Sequence, residues 1–217
     1  MKISTYTELI KRLPYKQQSF KTTRETWKAF KDNLIFKPFY EKTFVDESKI
    51  ISRDDLFGIN KNNFLDGIFS IVFWGYSKGY TRGNTMNKLF PLFLDGLPVL
   101  QNELIAKDNF TNGDLKRIIK NVNGVGLSTL TKFLYFFNLS VENNKSLILD
   151  SRIMNVLKNK KFEELNALQY ITESNKTELY PEYLRLMNEI SEKYHYEADR
   201  LELFLYMFGN NLKNRSD

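Results

Sequence analysis

Two glycines two residues apart, Gly124 and Gly126, stand between two stretches of helical periodicity, and no other feature restricts the fold of this chain as tightly. Asp114 can cap a helix that runs to about Lys120, and a second helix runs from Leu127 to about Leu139. Val122-Asn123-Gly124-Val125-Gly126 joins them as a tight hairpin. Glycine reaches positive φ and carries no side chain, so such a turn can bring its backbone against a phosphate. The helix behind it aims its free N–H groups at the same anion. A lone Gly-x-Gly also serves as a plain helix–helix turn, so function has to be read from the residues on its C-terminal side.

Helical periodicity dominates the rest of the chain. Residues 24–36 place Trp27, Phe30, Leu34 and Ile35 near helical spacing with lysines between them. Ser52 with Asp55 three residues on gives a capping-box pattern. Residues 63–76 are apolar on almost every face, which predicts a buried helix, and residues 74–84 form a loop of glycines among aromatic and basic side chains. Two short helices are expected at 85–94 and 98–106, split by Asp95-Gly96-Leu97. A last helix is expected over about 181–208, with Pro181 at its start and Gly209 past its end. No segment demands a β-sheet, and no repeat or flexible linker divides the chain. The expectation is an all-α protein, with residues 1–49 as an N-terminal helical extension and 50–217 as a helical domain whose hairpin unit spans about 114–157.

Composition removes several chemistries. Without cysteine there are no disulfides, zinc ribbons, thiol nucleophiles or iron-sulfur clusters. With His195 as the only histidine, neither a histidine metal site nor a Ser/His/Asp triad can be assembled. No metal and no cofactor is therefore expected, and the chemistry falls to Lys, Asp, Glu, Tyr, Ser and Arg. A net charge of +6 favours a polyanionic partner, and 15% aromatic residues supply rings on which unstacked bases can lie, although most will be core. No apolar run approaches the length of a membrane span, and the N-terminus lacks the apolar block of a secretory signal, so a cytoplasmic monomer with no membrane partner is expected.

The helix after the hairpin carries a core stripe of Leu127, Leu130, Leu134 and Phe137, and Lys132 lies on a different side of it, next to Ser128 and Phe136. With Phe133, Tyr135 and Phe136 around it, that side has little polar surface, so Lys132 is expected to be partly desolvated. Desolvation favours the neutral amine that a nucleophile needs. Downstream, the apolar run Leu147-Ile148-Leu149 ends at Asp150, which opens another helix. Asp150 is read as its N-cap, and a carboxylate so held is ionised and fixed in direction, as a group that stabilises positive charge on a sugar must be.

Taken together, the hairpin, the lysine-bearing helix and the apolar approach to Asp150 resemble the helix-hairpin-helix DNA glycosylase superfamily. Thr131-Lys132-Phe133-Leu134-Tyr135-Phe136, Leu147-Ile148-Leu149-Asp150-Ser151-Arg152 and Phe73-Trp74-Gly75-Tyr76 are similar to a bacterial branch of 8-oxoguanine DNA glycosylase-like proteins, over residues 50–208. The resemblance implies two helical lobes with the active site between them. It departs from the family at one slot: the catalytic lysine of the best-known members falls two residues after the second glycine, where this chain has Ser128. A serine there is what monofunctional members carry. Counted back from the acid, Lys132 lies eighteen residues before Asp150, a separation like that of the bifunctional enzymes.

The resemblance implies that Lys132 attacks the sugar of an extruded nucleotide and forms a Schiff base, with Asp150 assisting, on double-stranded DNA holding a damaged or modified base, foremost 8-oxoguanine. Gly124, Val125, Gly126, Ser128 and Arg152 are the expected DNA contacts, and Trp74, Tyr76 and Arg82 the base pocket. Trp74 as plain core is an equal reading. Asp199 and Glu202 are expected to pair with lysines at the surface, or else to line the site, and His195 to be structural or exposed. Three other readings stand beside this one: a monofunctional enzyme in which Asp150 activates water, a non-catalytic DNA-binding module, and a protein-interaction subunit, for example in phage defence.

Overall fold

The computed structural model describes residues 1–59, 61–81 and 84–212, with side chains described outside 80–86. Its first part contains α1 (Thr7–Lys11), β1 (Ser19–Thr23), α2 (Arg24–Trp27), α3 (Lys37–Thr43), β2 (Ser48–Ser52) and α4 (Arg53–Phe57). β1 and β2 pair antiparallel, with Ser19 opposite Ser52 and Thr23 opposite Ser48. A continuous helix over 24–36 does not form. After Trp27 the chain tightens into a 3-10 turn, and the Asn33 side chain accepts the amides of Ile35 and Phe36, offering the backbone an alternative to the helix. Leu34 is left 89% exposed, while Trp27 and Phe36 turn inward and Trp27 stacks on Phe73 at 4.3 Å. The first 49 residues thus contribute directly to the common aromatic core. Ser52 and Asp55 form the expected capping box at the start of α4.

α5 (Phe64–Gly75) is buried on nearly every face, as its sequence implies. β3 (Tyr80–Thr81) and β4 (Asn84–Thr85) come next as an antiparallel pair, and Arg82 lies outside the described residues. α6 (Met86–Ala106) is one helix rather than the two expected. Pro91 and Pro98 are seven residues apart, both exposed, on one side of this helix. Gly96 marks no break: a Cβ there would lie 2.8 Å from the Val122 side chain, so the glycine lets α6 cross close to the hairpin.

β5 (Asn109–Phe110) precedes α7 (Asn112–Asn121), the hairpin and α8 (Leu127–Phe136). Thr111, not Asp114, caps α7; Asp114 is its partner three residues on, so a second capping box stands where a single cap was expected. β6 (Ser140–Val141) joins β5 in parallel and β7 (Asn144–Lys145) antiparallel. α9 (Ser151–Lys158), α10 (Lys176–Tyr194) and α11 (Ala198–Phe204) complete the chain. The single helix expected over 181–208 is divided, because exposed His195 adopts φ 58° and closes α10. The bend aims Asp199 and Glu202 of α11 inward.

The architecture is all-α, with the three small sheets acting as connectors. α8 is its axis. On one side Phe133 stacks on Phe93 of α6 and Phe136 meets Trp74 of α5 edge-on; on the other the Tyr135 hydroxyl reaches Asp199 of α11. Among the described residues no helix is long and apolar enough to cross a membrane, and no group of His, Asp and Glu could hold a metal ion.

Candidate active site

A cleft of about 770 Å³ opens where the end of α5, the hairpin, α8 and the start of α9 meet. Trp74, Tyr76, Gly124, Gly126, Ser128, Lys132, Asp150 and Arg152 all line it, so residues spread over seventy-nine positions of sequence converge. Val125 is 4% exposed and turns its side chain into the core, which leaves only its backbone to the hairpin surface.

The hairpin is set by its two glycines in different ways. Gly124 has φ 79°, and a Cβ there would lie 2.9 Å from the Leu89 carbonyl oxygen, so both conformation and packing against α6 require glycine. Gly126 is the N-cap of α8 in extended conformation, with open space where a Cβ would stand. No side chain caps this helix, so its first amides remain available to an anion.

Lys132 is 7% exposed. Helical side chains lean toward the N-terminus, and Lys132 does so: its Nζ donates to the Ser128 carbonyl at 2.8 Å and to the Ser128 Oγ at 3.1 Å. The amine therefore sits beside the side chain that occupies the family's lysine slot, one helical turn back from its own Cα. It also lies 5.5 Å from the centroid of the Tyr76 ring, whose hydroxyl hydrogen-bonds Thr129. Gly75 makes room for the lysine stem; a Cβ there would be 2.9 Å from Lys132 Cδ. Sequence reasoning placed that glycine where the buried helix meets the loop and gave it no part in seating the lysine.

Asp150 is the N-cap of α9, as read from the sequence, and its Oδ1 accepts the amides of Arg152 at 2.9 Å and Ile153 at 3.0 Å. Its Oδ2 has no hydrogen-bond partner among the described residues. The extended segment leading to it is gripped from α10. The Tyr180 hydroxyl donates to the Leu147 carbonyl at 2.7 Å and the Tyr183 hydroxyl to the Ile148 carbonyl at 3.1 Å. Burial pushes both phenols up, so they remain protonated donors. Arg152 is exposed, with its guanidinium 4.9 Å over the Tyr206 ring.

Trp74 lines the cleft but is 4% exposed, met edge-on by Phe20 and Phe136, and its indole N–H donates to the Gln18 carbonyl. Tyr76, half-buried, offers more of its ring.

Arg53 and Glu202 also line the cleft, and their relation was missed. Each is 1% exposed, and the guanidinium meets the carboxylate in two hydrogen bonds of 2.9 Å. Gln18 accepts from Arg53 Nε at 2.6 Å, and Tyr135 accepts from Nη1 at 3.1 Å while donating to Asp199 at 2.6 Å. Burial alone would lower the arginine, but Glu202 and Tyr135 hold it above its ordinary value. The surface pairing with lysines is corrected for Glu202, which meets Arg53 in the interior and lines the cleft, while Asp199, 2% exposed, does take a lysine, Lys145, together with Tyr135. The only sequence signal was two acids on one side of the last helix.

A family model described as "Putative 8-oxoguanine DNA glycosylase OGG-like protein" matches residues 13–206. No curated protein and no solved structure matches the chain.

Proposed function

Because the chain belongs to the 8-oxoguanine DNA glycosylase OGG-like family, we propose that it extrudes a damaged or modified base from duplex DNA, 8-oxoguanine foremost, and removes it with Lys132 as nucleophile and Asp150 as its assistant. The observation that carries this reading is a desolvated amine sharing one cleft with a carboxylate that keeps an oxygen free. The open N-terminus of α8 and exposed Arg152 would hold phosphates flanking the extruded nucleotide, and the Tyr76 ring would lie against it.

The chemistry is set by these groups. Lys132, as the free amine, attacks C1′, and the glycosidic bond breaks with its electron pair passing to the departing base, which takes up a proton. The Asp150 carboxylate stabilises the positive charge developing on the sugar and accepts the proton lost by the amine. The sugar ring then opens to a Schiff base, and loss of a 2′ proton expels the 3′ phosphate, cutting the strand. Lys132 must first leave the two Ser128 oxygens, and this favours a second reading in which it stays there and Asp150 activates water, releasing the base without a cut.

A duplex carrying 8-oxoguanine separates the readings. Strand cutting without alkali supports the lyase, and cutting only after alkali supports Asp150-activated water. No base release from this duplex, or from a panel bearing other lesions and modified bases, overturns the glycosylase reading. Affinity for undamaged duplex should also fall steeply with salt; a flat response would remove the phosphate contacts.

A further inference from the structure

Thr131 is fully buried, next to Lys132 in α8, yet its hydroxyl is committed on both sides. It donates to the Ser128 carbonyl at 3.3 Å, the same oxygen that accepts from Lys132 Nζ at 2.8 Å. It accepts the Leu149 amide at 3.3 Å, and Leu149 is the residue immediately before Asp150. The segment from Leu147 to Leu149 belongs to no helix or strand, so side chains must satisfy its buried backbone groups. Tyr180 and Tyr183 do so for two carbonyls from α10, and Thr131 does so for the amide from α8.

We propose that Thr131 is a positioning residue that couples the register of Lys132 to that of Asp150. This rests on the glycosylase reading. The two groups sit on different elements, eighteen residues apart, and the tyrosines tie the acid only to α10. The Thr131 hydroxyl is the bond that ties the acid's segment to the helix that carries the lysine. One oxygen thus fixes the turn on which the amine rests and the backbone from which the carboxylate projects. Misplacement of either group by about 1 Å is enough to slow a reaction between oriented groups.

The test compares Thr131→Val, which keeps the shape and removes both hydrogen bonds, with Thr131→Ser, which restores the hydroxyl. Ser191→Ala serves as a control, since Ser191 is a buried hydroxyl bonded to the Met187 carbonyl on another helix. With a duplex carrying an abasic site and borohydride, Thr131→Val should form covalent adduct at least tenfold more slowly at unchanged affinity for the duplex. Thr131→Ser should recover to within about threefold of the parent chain, and Ser191→Ala should match the parent. Wild-type rate in Thr131→Val overturns the proposal, as does an equal loss in Ser191→Ala. Thr131→Ala repeats the comparison if the valine variant does not fold. If the parent chain forms no adduct, the lysine reading has failed, and amide exchange decides the coupling by itself. Exchange at Leu149 at least tenfold faster in Thr131→Val supports it, and unchanged exchange overturns it.

Discussion

The wall of the cleft carries two sets of opposite charges, and they are built in opposite ways. Arg53 and Glu202 are fully buried and bidentate, with Gln18 and Tyr135 taking further guanidinium donors. Lys132 and Asp150 form no ion pair with each other among the described residues; the lysine donates to two neutral oxygens, and the acid leaves Oδ2 unbonded. Both Glu202 oxygens and four of the five Arg53 N–H groups are bonded within the protein, which commits the pair to the fold. The Lys132 amine and the Asp150 carboxylate, bonded only to neutral groups, keep bonding capacity that faces the cleft. The function proposed above assigns the first set to the cleft's shape and the second to its chemistry.

The strongest way to break the contrast is Asp150→Asn. Asparagine caps a helix as well as aspartate does, so thermal unfolding should move little while single-turnover base excision falls by roughly 10²- to 10⁴-fold. A large drop in stability with little drop in rate would move Asp150 to the structural set. Glu202→Gln should do the reverse, leaving the Arg53 charge buried without its counterion and costing about 3–5 kcal/mol of stability by urea unfolding. A loss below about 1 kcal/mol, of the size seen for surface pairs, would show that water reaches this pair.

Smaller effects sharpen the picture. Gly75→Ala places a Cβ 2.9 Å from Lys132 Cδ, and displacing the amine should slow adduct formation by about 10- to 100-fold with stability nearly unchanged. On the exposed side of α4, Asp55 is a satisfied acid, held below its ordinary pKa chiefly by the Ser52 amide and also by its hydroxyl. Because its folded pKa is depressed, its contribution is present above the unfolded carboxyl range near about pH 4 and is lost as pH falls through the folded value. Ser52→Ala should cost about 1 kcal/mol near neutrality and reduce that acid slope only in part, because the amide remains, with no change in excision rate.

What could be read from the sequence was what neighbouring residues decide among themselves. The hairpin, the Ser52 capping box, the buried α5 and Asp150 as an N-cap all rest on residues within a few positions of one another. Lys132 on a poorly hydrated face was legible for the same reason. The failures share a different cause. Val122 and Lys132 approach Gly96 and Gly75 from other elements, so the first was misread as a break and the role of the second in seating the lysine was not seen. The helix expected at 24–36 lost to the Asn33 side chain, and Arg53 was separated from Glu202 by 149 positions of chain.

The central claim is that the Lys132 amine, reaching back one turn to Ser128, is the nucleophile. Borohydride trapping on a duplex with an abasic site, followed by mass-spectrometric location of the modified residue, tests it most directly. The account predicts one covalent adduct, on Lys132, absent from a folded Lys132→Gln variant. Undiminished adduct in that variant, carried by another lysine or by the amino terminus, would contradict it.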